Sequence, residues 1–99
     1  SAVSNETLNV ILTHLDTFEK NMDFLQTDIS LNDLAKQWST NRTYLSQFIN
    51  KHKGKNFIDY LNHLRIDYLL KKLEEEPQWK DYKINHISDL LGFPSSRSF

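Results

Sequence analysis

Between Leu34 and Ile58 the chain carries Lys36, Arg42, Lys51, Lys53 and Lys55 and no Asp or Glu. Thr43, Ser46, Gln47 and Asn50 lie among them and supply hydroxyls and amides that donate and accept hydrogen bonds. The chemistry open to this set is recognition of a polyanion. Cations neutralise phosphates and release condensed counterions, while amides and hydroxyls pair with base edges. The formal net charge of −1 conceals the patch. Residues 1–33 carry six acids against Lys20, residues 34–58 carry five bases and no acid, and residues 59–99 carry seven acids against six bases. An acidic segment elsewhere does not cancel a basic one beyond a screening length of about 10 Å.

Other chemistries are poorly supplied. His14, His52, His63 and His86 are scattered and there is no cysteine, so neither a zinc set at ligand spacing nor a thiol site is expected. His63 and Asp67 stand four apart, the spacing of an intrahelical pair. No glycine-rich phosphate loop, nucleophile–base set or separated carboxylate pair is visible. The expectation is a non-enzyme with no cofactor and no metal. No apolar run approaches the roughly 18–20 residues that span a bilayer, and no signal-peptide pattern opens the chain. Together with the lack of cysteine this fits a cytoplasmic protein away from membranes.

The elements that position the basic set are helical. Only two Gly and two Pro occur in 99 residues, and apolar residues recur at helical spacing, which predicts one small all-α domain. A first helix starts after Ser4 or Asn5, with Leu8, Ile11, Leu12, Leu15, Phe18 and Met22 on one stripe. Phe24 and Leu25 anchor the connection that follows. Ser30 caps a short helix from Leu31 to about Gln37, whose inward side is Leu31, Leu34, Ala35 and Trp38. Ser39-Thr40-Asn41 turns the chain, Asn41 caps a helix from Arg42 to about Lys53, and Gly54 ends it in a left-handed conformation. The small side chain of Ala35 lets these two helices cross closely, as a helix-turn-helix requires.

Leu45, Phe48 and Ile49 form the buried side of the second helix of that pair. At about 100° per residue, Arg42, Thr43, Ser46, Gln47 and Asn50 fall on its outward side. Tyr44 is open to either packing or a hydroxyl contact with phosphate. Asn56 caps a long helix from Phe57 to about Glu75. Its many apolar residues, among them Ile58, Leu61, Leu64, Ile66, Leu69, Leu70 and Leu73, predict packing on both sides. Arg65 on that helix suits an internal ion pair or the capping of carbonyls better than a surface contact. A last short helix begins at Ile84, with Ile84, Ile87, Leu90 and Leu91 inward and Gly92 at its end.

Leu31-x-x-Leu34-Ala35, Asn41-Arg-Thr-Tyr-Leu-Ser-Gln-Phe-Ile49, Gly54-Lys-Asn-Phe57, Tyr60-Leu61 and Leu64-Arg65-Ile66, in this order and spacing, resemble the DNA-binding domain of AraC/XylS-type bacterial transcription regulators. Ile84-x-x-Ile-Ser-x-x-Leu-Gly-Phe93 resembles the opening of that family's second helix-turn-helix. The resemblance covers about residues 28–99 and leaves 1–27 as an N-terminal helix and connection. It implies two helix-turn-helix units joined by a long linker helix, each presenting its second helix to the major groove of double-stranded DNA. Carried over by position, base reading falls on Thr43, Ser46 and Gln47 and backbone contact on Arg42 and Asn50, with Tyr44 and Lys51 beside them. Ser96 and Arg97 match the first base-facing turn of the second unit.

Two departures from the family pattern matter. Gln47 stands where the family often has Arg and Asn50 where it often has Lys, which implies weaker binding and lower salt sensitivity. The family's second recognition helix continues past the position of Phe99 and is followed by another helix. The resemblance therefore implies a chain truncated within the second unit, with an apolar edge at Ile87, Leu91, Phe93 and Phe99 open to self-association. A protein-interaction or dimerisation module is the alternative function.

Overall fold

The computed structural model describes residues 5–94. Ser96 and Arg97, the expected reading turn of the second unit, lie outside the described residues, as does Phe99. The described residues form an all-helical fold without strands: α1 (Asn5–Lys20), α2 (Leu31–Gln37), α3 (Arg42–Lys53), α4 (Phe57–Glu75) and α5 (Ile84–Leu90), with 3₁₀ turns at Asp23–Leu25 and Pro77–Asp81.

Three side chains fix where the helices start. Ser30 Oγ accepts from the Asp33 N–H at 3.0 Å, Asn41 Oδ1 from the Tyr44 N–H at 2.8 Å, and Asn56 Oδ1 from the Asp59 N–H at 2.8 Å. Each satisfies an orphan donor of the first turn and contributes about 1 kcal/mol. Gly54 ends α3 at φ 70°, its N–H donating to Asn50 O at 3.0 Å. The end of α2 uses no glycine. Ser39 takes φ 57°, with Ser39 N–H on Lys36 O at 3.2 Å and Thr40 N–H on Ala35 O at 2.8 Å. That bond pair closes a helix at a left-handed residue, and serine there costs about 1 kcal/mol relative to glycine.

One core holds these elements together. Ile11, Leu15 and Phe18 of α1 pack in the same cluster as Leu34, Ala35 and Trp38, Leu45, Phe48 and Ile49, and Phe57, Tyr60 and Leu61. Phe18 stands edge-on to Trp38 with ring centroids 6.1 Å apart, and His14 stacks on the indole at 5.3 Å. The α2–α3 pair therefore rests on α1 on one side and α4 on another.

Burial departs from the sequence expectation along α4 and α5. The buried residues of α4 are Phe57, Tyr60, Leu61 and Arg65, a single stripe at helical spacing. Ile58, Ile66 and Leu70 face outward, with Ile58 61% and Leu70 58% exposed, while Leu64, Leu69 and Leu73 are half-buried, so α4 is covered over less of its circumference than its apolar count predicts. Ile84 is 80% exposed and Leu90 is also exposed, because α5 is anchored through Leu91 and the half-buried Ile87 instead. On α1, Leu12 lies about 100° round from Ile11 and off the buried stripe. Met22 is exposed because its left-handed backbone, φ 56°, carries it away from that stripe.

The end of α5 is docked on the first 3₁₀ turn. Gly92 has φ 85° and is buried, and a Cβ there would stand 2.3 Å from Leu25 O. Arg65 completes the joint. Only 3% exposed, it donates from Nε to Phe24 O at 2.8 Å and from Nη2 to Gln26 O at 3.0 Å, and its guanidinium lies 5.1 Å from the centroid of the Phe93 ring. Burial lowers its pKa. Of the roles expected for Arg65, carbonyl capping is the one it fills.

Candidate nucleic-acid interface

Leu45, Phe48 and Ile49 pin α3 to the core, and this sets what its opposite side presents. Arg42, Thr43, Gln47, Asn50 and Lys51 are exposed and Ser46 is half-buried. Lys36 on α2 and Lys55 after α3 are exposed as well. Among the described residues, Lys36, Arg42, Lys51 and Lys55 make no ion pair. Lys51 also sits in the last turn of α3, where the helix dipole favours positive charge.

A shallow groove runs beside the start of α3. Arg42 and Ser46 line it together with Ser30, Asn32 and Asn56, over a floor that includes Phe57. The first turn of α4 opens onto it and adds the partial positive charge of a helix N-terminus. Asn32 and Asn56 were not among the expected contact residues. Asn56 is legible in the sequence as a cap, but its position beside Arg42 follows from the way α4 returns across α3, for which the sequence carries no local signal.

Two residues of the basic segment behave differently from the rest. Tyr44 is half-buried and its ring packs tilted against Phe48 at 6.2 Å, with the hydroxyl buried and without a hydrogen-bond partner among the described residues. Packing is therefore its observed role. Lys53 is not a free cation: its Nζ lies 3.0 Å from Glu19 Oε2, and it sits 5.7 Å from the centroid of the Tyr60 ring. The Tyr60 hydroxyl donates to the same carboxylate oxygen. Burial, then the bond to Glu19 and its charge, push the Tyr60 pKa well above its ordinary value. A segment without acids in sequence is not free of acids in space, because α1 brings one.

Two histidines have partners within the fold. His63 Nε2 pairs with Asp67 Oδ2 at 3.1 Å as the spacing predicts, and His52 stacks on Phe48 at 4.2 Å. Among the described residues no group of three or more His, Asp or Glu is placed to hold a metal ion, and no helix is long and apolar enough to cross a membrane.

No protein-family model matches the chain, and no curated protein sequence matches it. Among solved structures, the fold is similar to the C-terminal domain of AraT, a response regulator from Geobacillus stearothermophilus. The TM-score is 0.69 at 23% identity, over 100% of this chain and 74% of that one. At this identity the likeness establishes the helical fold.

Proposed function

We propose that this chain is DNA-binding machinery of a cytoplasmic bacterial transcription regulator of the AraC/XylS type, with α3 entering the major groove of double-stranded DNA. The observation that carries the reading is the outward face of α3. It is polar, bears no carboxylate, and presents Arg42 and Lys51 without ion-pair partners. The fold shared with the C-terminal domain of a response regulator supports it. Arg42 and Lys51 neutralise phosphates, and Asn50 hydrogen-bonds the backbone. Thr43, Ser46 and Gln47 meet base edges. Gln47 pairs bidentately with adenine and the Thr43 methyl touches the thymine methyl, with Arg42, the single Arg of α3, assigned to phosphate. The unit formed by 28–99 carries this activity, with Ser96 and Arg97 retained from the sequence as further candidate contacts.

Fluorescence anisotropy on a mixed-sequence duplex tests the reading, with salt raised from about 50 to 200 mM, the range in which phosphate contacts separate from other contacts. Wild type binds with a linear loss of log K against log salt. The double variant Arg42→Ala with Gln47→Ala, folded by circular dichroism, binds more weakly and with a slope shallower by about 0.9, the value of one phosphate contact. Unchanged binding in that variant removes α3 as the reading face, and absence of binding at low salt removes the function.

The exposed apolar side chains Ile58, Ile66, Leu70, Ile84 and Leu90 favour a second reading, self-association of two copies. Apolar association holds or strengthens as salt rises, opposite to DNA binding. Sedimentation velocity at two salt concentrations, with Leu70→Lys as the disrupting variant, separates the two.

A further inference from the structure

The contact between α1 and the end of α3 stands apart from the rest of the core because it joins charges. Lys53 and Glu19 are each 32% exposed, so the pair lies at the rim of the domain, where a phosphate has access to one partner as readily as the other does. Glu19 Oε2 accepts from both Lys53 Nζ and the Tyr60 hydroxyl. The carboxylate cannot withdraw on its own, since Ile11, Leu15 and Phe18 fix α1 in the core on the turns before and around it. Along α3, Lys53 follows Arg42, Ser46 and Asn50 on one flank at spacings of three and four, so its stem continues the strip assigned to DNA.

We propose that Glu19 limits the DNA affinity of this domain by holding Lys53 as an internal counter-ion. The inference rests on the DNA-binding reading above and adds a residue from outside the helix-turn-helix to it. With Glu19 ionised, Lys53 releases no counterion when duplex binds. The brake acts on affinity for any sequence, because it touches backbone charge and no base edge. Any partner or displacement that draws α1 away from α3 would release Lys53 and tighten the complex, so the contact couples the position of α1 to occupancy of DNA.

The experiment compares salt slopes of wild type, Glu19→Gln, Lys53→Gln and the double variant on one mixed-sequence duplex, with circular dichroism as the fold control. Glu19→Gln leaves an amide oxygen for the Tyr60 hydroxyl and removes the charge. It is expected to steepen the slope by about 0.9, which between 50 and 200 mM salt is a gain of about 3.5-fold in affinity on the low-salt side relative to the high-salt side. Lys53→Gln alone leaves the wild-type slope unchanged, and combined with Glu19→Gln it cancels the gain. Asp16→Asn, which neutralises an exposed acid of α1 already paired with Lys20 at 3.0 Å, leaves the slope unchanged.

A Glu19→Gln slope equal to wild type, or a flatter slope in Lys53→Gln alone, overturns the proposal. Should Glu19→Gln fail to fold, the Lys53→Gln slope decides by itself. If the Arg42 and Gln47 variant weakens binding as expected while Glu19→Gln is inert, only the role of Glu19 falls. If no folded form binds duplex at low salt, the DNA-binding reading and this inference fall together.

Discussion

Replacing Arg65 with Met keeps the length and apolar character of the side chain and removes the guanidinium that ties α4 to the turn after α1. Arg65 donates two bonds to main-chain carbonyls, at 2.8 and 3.0 Å, and is 3% exposed. Hydrogen bonds from a charged donor contribute about 1.5–3 kcal/mol each, so the two together contribute roughly 3–6 kcal/mol. Relief of the desolvation of the guanidinium offsets roughly half of that, leaving a net loss of about 1.5–3 kcal/mol. A domain of this size has about 5–15 kcal/mol in all, and 1 kcal/mol moves its midpoint by about 4–8 °C. Arg65→Met is therefore expected to lower the thermal midpoint by roughly 10–20 °C and to shift the urea midpoint without changing the slope m. Arg65→Lys, which keeps charge but has no planar fork, recovers about half of the loss. A Met variant within about 0.5 kcal/mol of wild type would show that the two carbonyls are satisfied without Arg65, and full recovery by Lys would refute the two-pronged contact.

Two further perturbations probe other joints of the fold. Gly92→Ala is expected to cost about 3 kcal/mol or more, since its Cβ would meet Leu25 O at 2.3 Å in addition to the strain of φ 85°, whereas Gly54→Ala at φ 70° faces open space and costs about 1 kcal/mol. Equal losses in urea titrations of the two variants would mean that α5 does not dock on the 3₁₀ turn as described. Tyr60 has its pKa raised in the folded state above the ordinary value of 10.0, so its contribution is complete below about pH 10 and is lost as the pH climbs beyond. The thermal midpoint of wild type should fall more steeply above that pH than the midpoint of Tyr60→Phe, and parallel curves would exclude the Tyr60 hydroxyl as the cause.

The starts of α2, α3 and α4 were legible in the sequence because Ser30, Asn41 and Asn56 each make a cap bond within three residues, a local event that a short window contains. The outward face of α3 was legible for the same reason: angular spacing alone separates Gln47 and Asn50 from Leu45 and Ile49. What escaped was non-local. Ile58, Ile66 and Leu70 read as core because periodicity marks apolar positions without saying how many sides of a helix find a partner. Lys53 read as part of an uncompensated patch because its carboxylate comes from α1. Ser39 escaped because a left-handed serine has no sequence signature of the kind glycine provides.

The bonds from Arg65 reach 41 and 39 positions back along the chain, to Phe24 and Gln26, whereas α2, its turn and α3 are immediate neighbours. Closing a loop of that length has an entropic cost that short-range contacts avoid, so a transition state assembled from the α2–α3 pair and the start of α4 forms before the Arg65 contact does. The contact then governs lifetime more than speed. Arg65→Met should raise the unfolding arm of the chevron and leave the folding arm nearly where it was, and a slowed folding arm would place Arg65 in the nucleus instead. On this account the guanidinium works as a latch fastened last, one that sets how long the helices stay assembled and has little say in how quickly they meet.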